Sequence, residues 1–334
     1  MLRRVARDLF WVGRYLERAD CLARFLFVQR RLALEVGRLA GDRDAWGRRV
    51  LSVLGDGDLF SASHRSAPEI DDYVAFAVLS PAAPNSIAGC VTRARENARS
   101  GRAYLSRETY ESVNRLYLML QGTAASREEW SFALQRIEQA CRVVSGFLAD
   151  TVVRDEAWQV INLGRHLERA SQTIRIVQAE AVGGEGGPWG RGAPVDPIAW
   201  GGILRSCNAY EAYRRVFKGP IEPENVLELL LLYPAFPRSL RASLALAREN
   251  LLALGLTQET AWRPTALDTT FNSLFASVTY SGVNSIVLEG VVAFLARLQR
   301  ELAGVGIALE DFFEGTDAAP GHPEATRPSE SAQQ

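Results

Sequence analysis

The chain opens on an apolar seam. Leu2, Val5, Leu9, Val12, Leu16, Ala19, Ala23 and Leu26 recur at alternating spacings of three and four, which predicts one long helix from about residue 2 into the mid-thirties. Phe10, Tyr15, Phe25 and Phe27 add apolar bulk on its other faces, and a helix apolar on more than one side is packed on more than one side. The charged residues within it, Arg14, Glu17 and Arg18, are therefore expected to be largely enclosed.

The same period predicts helices over 46–54, 69–79, 86–105, 108–120, 127–149 and 156–181, with Ser106 and Ser126 as N-caps. Further helices are expected over 197–207, 209–217, 223–232, 239–254, 265–278 and 282–313. Residues 55–68 and the glycine-rich 183–188 read as loops. The latter follows no strand and lacks the Gly-Lys-Ser/Thr ending of a phosphate cradle. Beyond Gly315 the tail carries too little apolar surface to order itself. No alternating β-branched run competes, and Asp56-Gly57 is flanked by no strand pattern. The expected fold class is all-α, an irregular helical bundle.

The seam also repeats. Gly13-Arg14-Tyr15-Leu16-Glu17-Arg18-Ala19 returns as Gly164-Arg165-His166-Leu167-Glu168-Arg169-Ala170, a shift of 151 (164 − 13). The segment Ser80 to Ile87 aligns with Tyr233 to Leu240, and Arg95-Glu96-Asn97 with Arg248-Glu249-Asn250, both at 153 (233 − 80). Trp46-Gly47 pairs with Trp200-Gly201 at 154 (200 − 46). Ordered matches at so narrow a range of shifts predict two duplicated halves, 1–150 and 151–314, forming one compact domain around a pseudo-twofold axis. A tail follows from 315 to 334. The Glu-Arg helices open each half and are expected side by side near the axis.

Composition narrows the function classes more than it selects one. A net charge of −1 gives no field for nucleic acid or an anionic membrane. Lys218 is the only lysine, so almost every cation is a planar guanidinium able to grip a carboxylate with two N–H groups. Cys21, Cys90, Cys141 and Cys207 form no C-x-x-C pair, which argues for buried thiols in a reducing cytoplasm. No leader or membrane span is expected: Arg7, Asp8 and Arg14 interrupt the N-terminal apolar run, and 226–236 is too short to cross a bilayer.

The run Leu9 to Asp20, the segment Ser86-Ile87-Ala88-Gly89-Cys90 with Arg95 to Arg99, and Asn114-Arg115-Leu116-Tyr117 resemble the bacterial alpha-E family. So do Arg154-Asp155-Glu156 and Phe236-Pro237-Arg238-Ser239. The likeness covers about residues 1 to 313, with His166 standing where a tyrosine is commoner. It implies an all-helical fold and, through gene association, work beside ATP-grasp-type amide ligases and transglutaminase-like proteins that modify peptides or make small peptide-like compounds. It implies no particular reaction.

Two readings of the motif stay open. In one, Glu17 pairs with Arg14, Arg18 or Arg24 and Glu168 with Arg165, Arg169 or Arg175, fixing helix register. In the other, the guanidiniums line a pocket for a carboxylate or phosphate, with Glu17 and Glu168 as acid or base. Arg95, Glu96, Asn97, Arg248, Glu249 and Asn250 form a second polar set, expected either to reach neighbouring helix ends or to line the same pocket. His64, His166 and His322 are too dispersed for a triad or zinc site, and the Glu-x-x-His companions of a di-iron bundle are missing. No metal, cofactor or catalytic set is therefore expected. Residues 269–272 and 280–284 are read as either cleft rims or plain loop tips. The leading expectation is a non-catalytic scaffold or substrate-presenting partner of the ligase. The rival is an enzyme or binder with an Arg/Glu pocket between the halves, acting on a carboxylate- or amine-bearing molecule.

Overall fold

The structure is a computed structural model that describes residues 1–35, 43–63, 68–125, 129–181, 197–256 and 265–315. The expected tail, the glycine-rich loop, Ser126, His64 and His322 lie outside these residues. Among the described residues there are helices and no strands.

In chain order the helices are α1 (Arg3–Glu35), α2 (Arg43–Leu54), α3 (Gly57–Ser63), α4 (Ile70–Leu79) and α5 (Ile87–Ser100). They continue with α6 (Arg107–Ala125), α7 (Trp130–Thr151), α8 (Glu156–Ala181), α9 (Pro197–Ser206) and α10 (Tyr210–Phe217). The chain closes with α11 (Pro223–Leu227), α12 (Leu240–Ala253), α13 (Ala266–Thr279), α14 (Val283–Glu289) and α15 (Val291–Glu314).

Local chemistry explains most boundaries. Ser86 and Ser239, matched in the repeat, both cap: the Ser86 hydroxyl accepts from the Gly89 N–H and the Ser239 hydroxyl from the Ala242 N–H, each at 3.0 Å. Both hydroxyls also donate back across the preceding turn, to the Ser80 and Tyr233 carbonyls. Thr265 and Asp268 form a reciprocal capping box at the start of α13.

Four expectations need correction. Residues 57–63 are helical rather than loop, because Phe60 is buried, stacks on Tyr73 at 4.5 Å and meets Phe76 edge-on. Burying that ring outweighs the turn preference of the surrounding glycines and aspartates. The helix expected over 282–313 is two helices, broken at Gly290, whose φ of 92° is a conformation that side chains disfavour. The helix over 223–232 changes character: α11 gives way to a π-helical segment, Glu228–Leu232, in which the Tyr233 N–H reaches the Glu228 carbonyl at 2.8 Å. Finally, α5 stops at Ser100 and a 3-10 turn, Arg102–Tyr104, follows.

Helices α1 and α8 are the central pair. They pack on each other, α1 also against α5, α7 and α9, and α8 also against α12, α15 and α2. Their apolar seams are buried as the sequence pattern requires, from Leu9, Val12 and Leu16 on α1 to Val160, Leu163 and Leu167 on α8. The two helices touch through their glycines. A methyl group on Gly13 would lie 2.0 Å from the Ile161 carbonyl oxygen, and one on Gly164 would lie 2.1 Å from the Phe10 carbonyl oxygen. Each motif begins with glycine because the partner helix's backbone occupies the space.

Candidate functional site

One turn beyond those glycines the two Glu-Arg motifs meet. Glu17 and Glu168 are both buried, on facing helices. Neither pairs with an arginine of its own motif. Arg169 donates to Glu17 through Nε at 2.8 Å and Nη2 at 3.0 Å, and Arg165 adds Nε at 3.2 Å. Reciprocally, Arg18 donates to Glu168 through Nε at 2.6 Å and Nη2 at 3.0 Å, and Arg14 adds Nε at 2.9 Å. Ion pairs thus form, with the partners exchanged between helices. The expected same-motif pairs, including Glu17 with Arg24 and Glu168 with Arg175, do not form. Arg24 turns to Asp20 and the Ser206 carbonyl, and Arg175 to the Val53 carbonyl.

Further residues complete each carboxylate's surroundings. Arg238 donates to Glu17 at 3.3 Å and to Asp20 at 3.1 Å. On the other side Arg18 bonds the Asn85 side-chain oxygen, and Asn85 donates to Asp56 from both its backbone and its amide nitrogen. Gln172 donates to Glu168 at 2.8 Å, and the Cys21 thiol leans on Glu17 at 3.8 Å, each one turn along its helix. Asn85 and Arg238 escape a motif search, yet they occupy matching positions of the second recurring segment at the shift of 153 (238 − 85). That correspondence was the available signal.

Electrostatics follow from this geometry. Burial alone would raise the Glu17 carboxyl, but the Arg169, Arg238 and Arg165 charges outweigh it and hold the group well below the carboxylate range. Glu168 is likewise held down by Arg18 and Arg14 against its own desolvation. A carboxylate so weakly basic does not accept a substrate proton, and one held ionised has none to give. His166 is pushed down to about 3 by burial and by Arg169 and Arg165, and its buried Nδ1 has no hydrogen-bond partner. It is a neutral imidazole with little basicity. Burial first, then the Glu17 charge, pushes the Cys21 thiol up to about 12, so it remains protonated.

Glu17, Asp20 and Cys21 place three metal-type ligand atoms within 4.8 Å of one another. Arg24, Arg165, Arg169 and Arg238 donate into that group, so a cation there would face four guanidinium charges. The donor set suits arginine and does not suit a metal ion.

The second polar set stays apart. Arg95 donates to Asn114 at 2.8 Å, stacks over Tyr117 and touches Glu96. Arg248 lies over Phe275, Asn250 donates to Gln159 at 2.6 Å, Glu249 is exposed and Asn97 is half-buried. Arg95, Arg248 and Asn250 thus reach neighbouring helices through side chains rather than helix ends, and none of these partners belongs to the Glu-Arg cluster. Of the two suspected cleft rims, residues 269–272 lie inside α13, whereas Gly282, Val283 and Asn284 do line a cleft.

The fold and its centre define a class of protein: an all-helical bundle whose two longest motif-bearing helices are clamped by exchanged glutamate–arginine pairs. The chain belongs to the Alpha-E family, described as a predicted alpha-helical domain with a conserved ER motif, whose family model matches residues 1–313. It is similar to uncharacterised proteins of Mycobacterium bovis (strain ATCC BAA-935 / AF2122/97) and of Mycobacterium tuberculosis strains CDC 1551 / Oshkosh and H37Rv. Each is 26% identical over 333 residues, covering 92% of this chain. The chain spans only 36% of the length of these relatives. No solved structure matches it. Among the described residues no helix is long and apolar enough to cross a membrane.

Proposed function

We propose that the chain is an internal duplication, 1–150 and 151–314, whose Glu-Arg centre is a clamp between halves, and that it serves as a non-catalytic helical partner of an ATP-grasp-type amide ligase. In this reading it works in the cytoplasm and presents substrate for peptide modification or small-peptide synthesis, with a transglutaminase-like protein as a further partner.

The observation that carries the non-catalytic part is the complete engagement of both motif carboxylates by arginines of the opposite helix. The duplication is supported by reciprocity, since each glutamate, each doubly bonded arginine and each contact glycine has its counterpart 151 residues away. The cross-strut Arg24 to Ser206 has its match in Arg175 to Val53, each tying one half's motif helix to the other half. The ligase rests on the gene association of the Alpha-E family. The longer relatives support a module that works beside other modules.

Co-expression with an ATP-grasp-type ligase of the same organism tests the partnership. Co-migration on size exclusion with a changed rate of ATP turnover is expected. Independent migration with unchanged turnover overturns it.

A further inference from the structure

A cleft that shares no lining residue with the Glu-Arg centre lies where α11, the π-helical segment, the start of α12 and the start of α14 converge. Its volume of about 620 Å³ falls in the range of small-ligand sites. Glu224 and Glu228, one turn apart on the same face, supply two carboxylates, and Arg241 supplies one guanidinium. Leu232, Tyr233 and Val283 give the cleft an apolar side.

Two features separate this place from ordinary surface. Some exposed arginines find carboxylates, as Arg297 does with Glu289 and Glu301, and Arg107 with Glu111. Among the described residues Glu224, Glu228 and Arg241 have no ion pair or side-chain hydrogen bond, although they share one concavity. The second feature is the π-helical segment itself, which re-aims Glu228 and Leu232 relative to a regular helix at the cost of poorer backbone geometry, a device concentrated at functional sites.

We infer that this cleft binds a terminal basic amino-acid unit. Glu224 and Glu228 receive its cationic side chain, Arg241 receives its α-carboxylate, and the stem lies on Leu232, Tyr233 and Val283. Two carboxylates against one guanidinium leave one negative charge, which the α-ammonium of free lysine or arginine balances. A peptide ending in either residue offers the same side chain and carboxylate without that ammonium. The site stands apart from the ligase partnership, so failure of one leaves the other intact.

Calorimetry on the full chain tests the assignment with L-lysine, L-arginine, norleucine, a five-residue peptide ending in lysine, and that peptide's C-terminal amide. Binding of the free amino acids or of the acid peptide is expected, and the comparison between them identifies the source. Glu228→Gln and Arg241→Gln, both at solvent-accessible side chains, are each expected to weaken it at least about tenfold, the scale of one lost charge-assisted hydrogen bond. Unchanged melting temperatures of these variants show that the fold is kept. No binding of any basic ligand, equal binding of norleucine or of the amide, or full binding by both variants overturns the proposal.

Discussion

Arg169 holds Glu17 by both carboxylate oxygens, Nε to Oε1 at 2.8 Å and Nη2 to Oε2 at 3.0 Å, across the interface of α8 and α1. Two parallel charge-assisted bonds from a planar fork fix angle as well as distance. A lysine could not reproduce that grip.

Removing one member leaves buried guanidiniums unpaired. Glu168→Gln is expected to lower unfolding free energy by about 3–5 kcal/mol, because Arg14 and Arg18 lose their counter-charge. Combining it with Arg18→Gln should cost clearly less than the sum of the two single changes, as measured by urea unfolding in a double-mutant cycle. Strict additivity would mean the pair is not coupled.

Helix contact is equally checkable. Gly13→Ala or Gly164→Ala forces a methyl group into the partner's carbonyl oxygen and should destabilise by roughly 1–3 kcal/mol or more. Gly146, in α7, has nothing within 4 Å of such a methyl, and Gly146→Ala should instead gain about 0.5–1 kcal/mol. Chemical-denaturation midpoints of the three variants give the comparison.

Acid sensitivity has two windows. Glu17 and Glu168 sit below their ordinary value of 4.5 in the folded chain, so the unfolded chain binds protons first as pH falls. Their stabilisation is complete above about 4.5 and fades below it. His166 is depressed from 6.5 to about 3, so again the unfolded chain protonates first, but starting near pH 6.5. Between pH 6.5 and 5 the wild type should lose up to about 1.4 kcal/mol per pH unit from this residue. Urea titrations at pH 7.5 and 5 should show that loss reduced in His166→Gln.

Thiol chemistry offers a fourth check. All four cysteines are buried and free of disulfides, with burial raising each one: Cys21 and Cys90 to about 12, Cys207 to about 11 and Cys141 well above its usual value. A thiol reagent at pH 8 should label none of them in the native protein and all four in denaturant. Rapid native labelling of Cys21 would mean that the Glu17 surroundings open.

Much of this was legible in the chain. The seam of Leu9, Val12 and Leu16 gave the central helix, and the repeated heptapeptide located its partner. What periodicity could not supply was partner choice: Glu17 and Arg18 are adjacent in sequence, but the pairing that forms runs to Arg169, because residues next to each other on a helix diverge while facing helices converge. The contributions of Asn85 and Arg238 were hidden because the recurring segment carries different chemistry at those two positions. The break at Gly290 was missed because an isolated glycine in a helical pattern is usually tolerated. The helix at Phe60 depends on rings of α4 that no local pattern encodes.

The glycine contacts have a mechanical consequence. With each partner's carbonyl seated over Gly13 and Gly164, and the exchanged arginines gripping one turn further on, α1 and α8 cannot slide past each other by a turn without breaking every central bond together. They form a stiff spindle. In any rearrangement that keeps these bonds the two helices move as one unit.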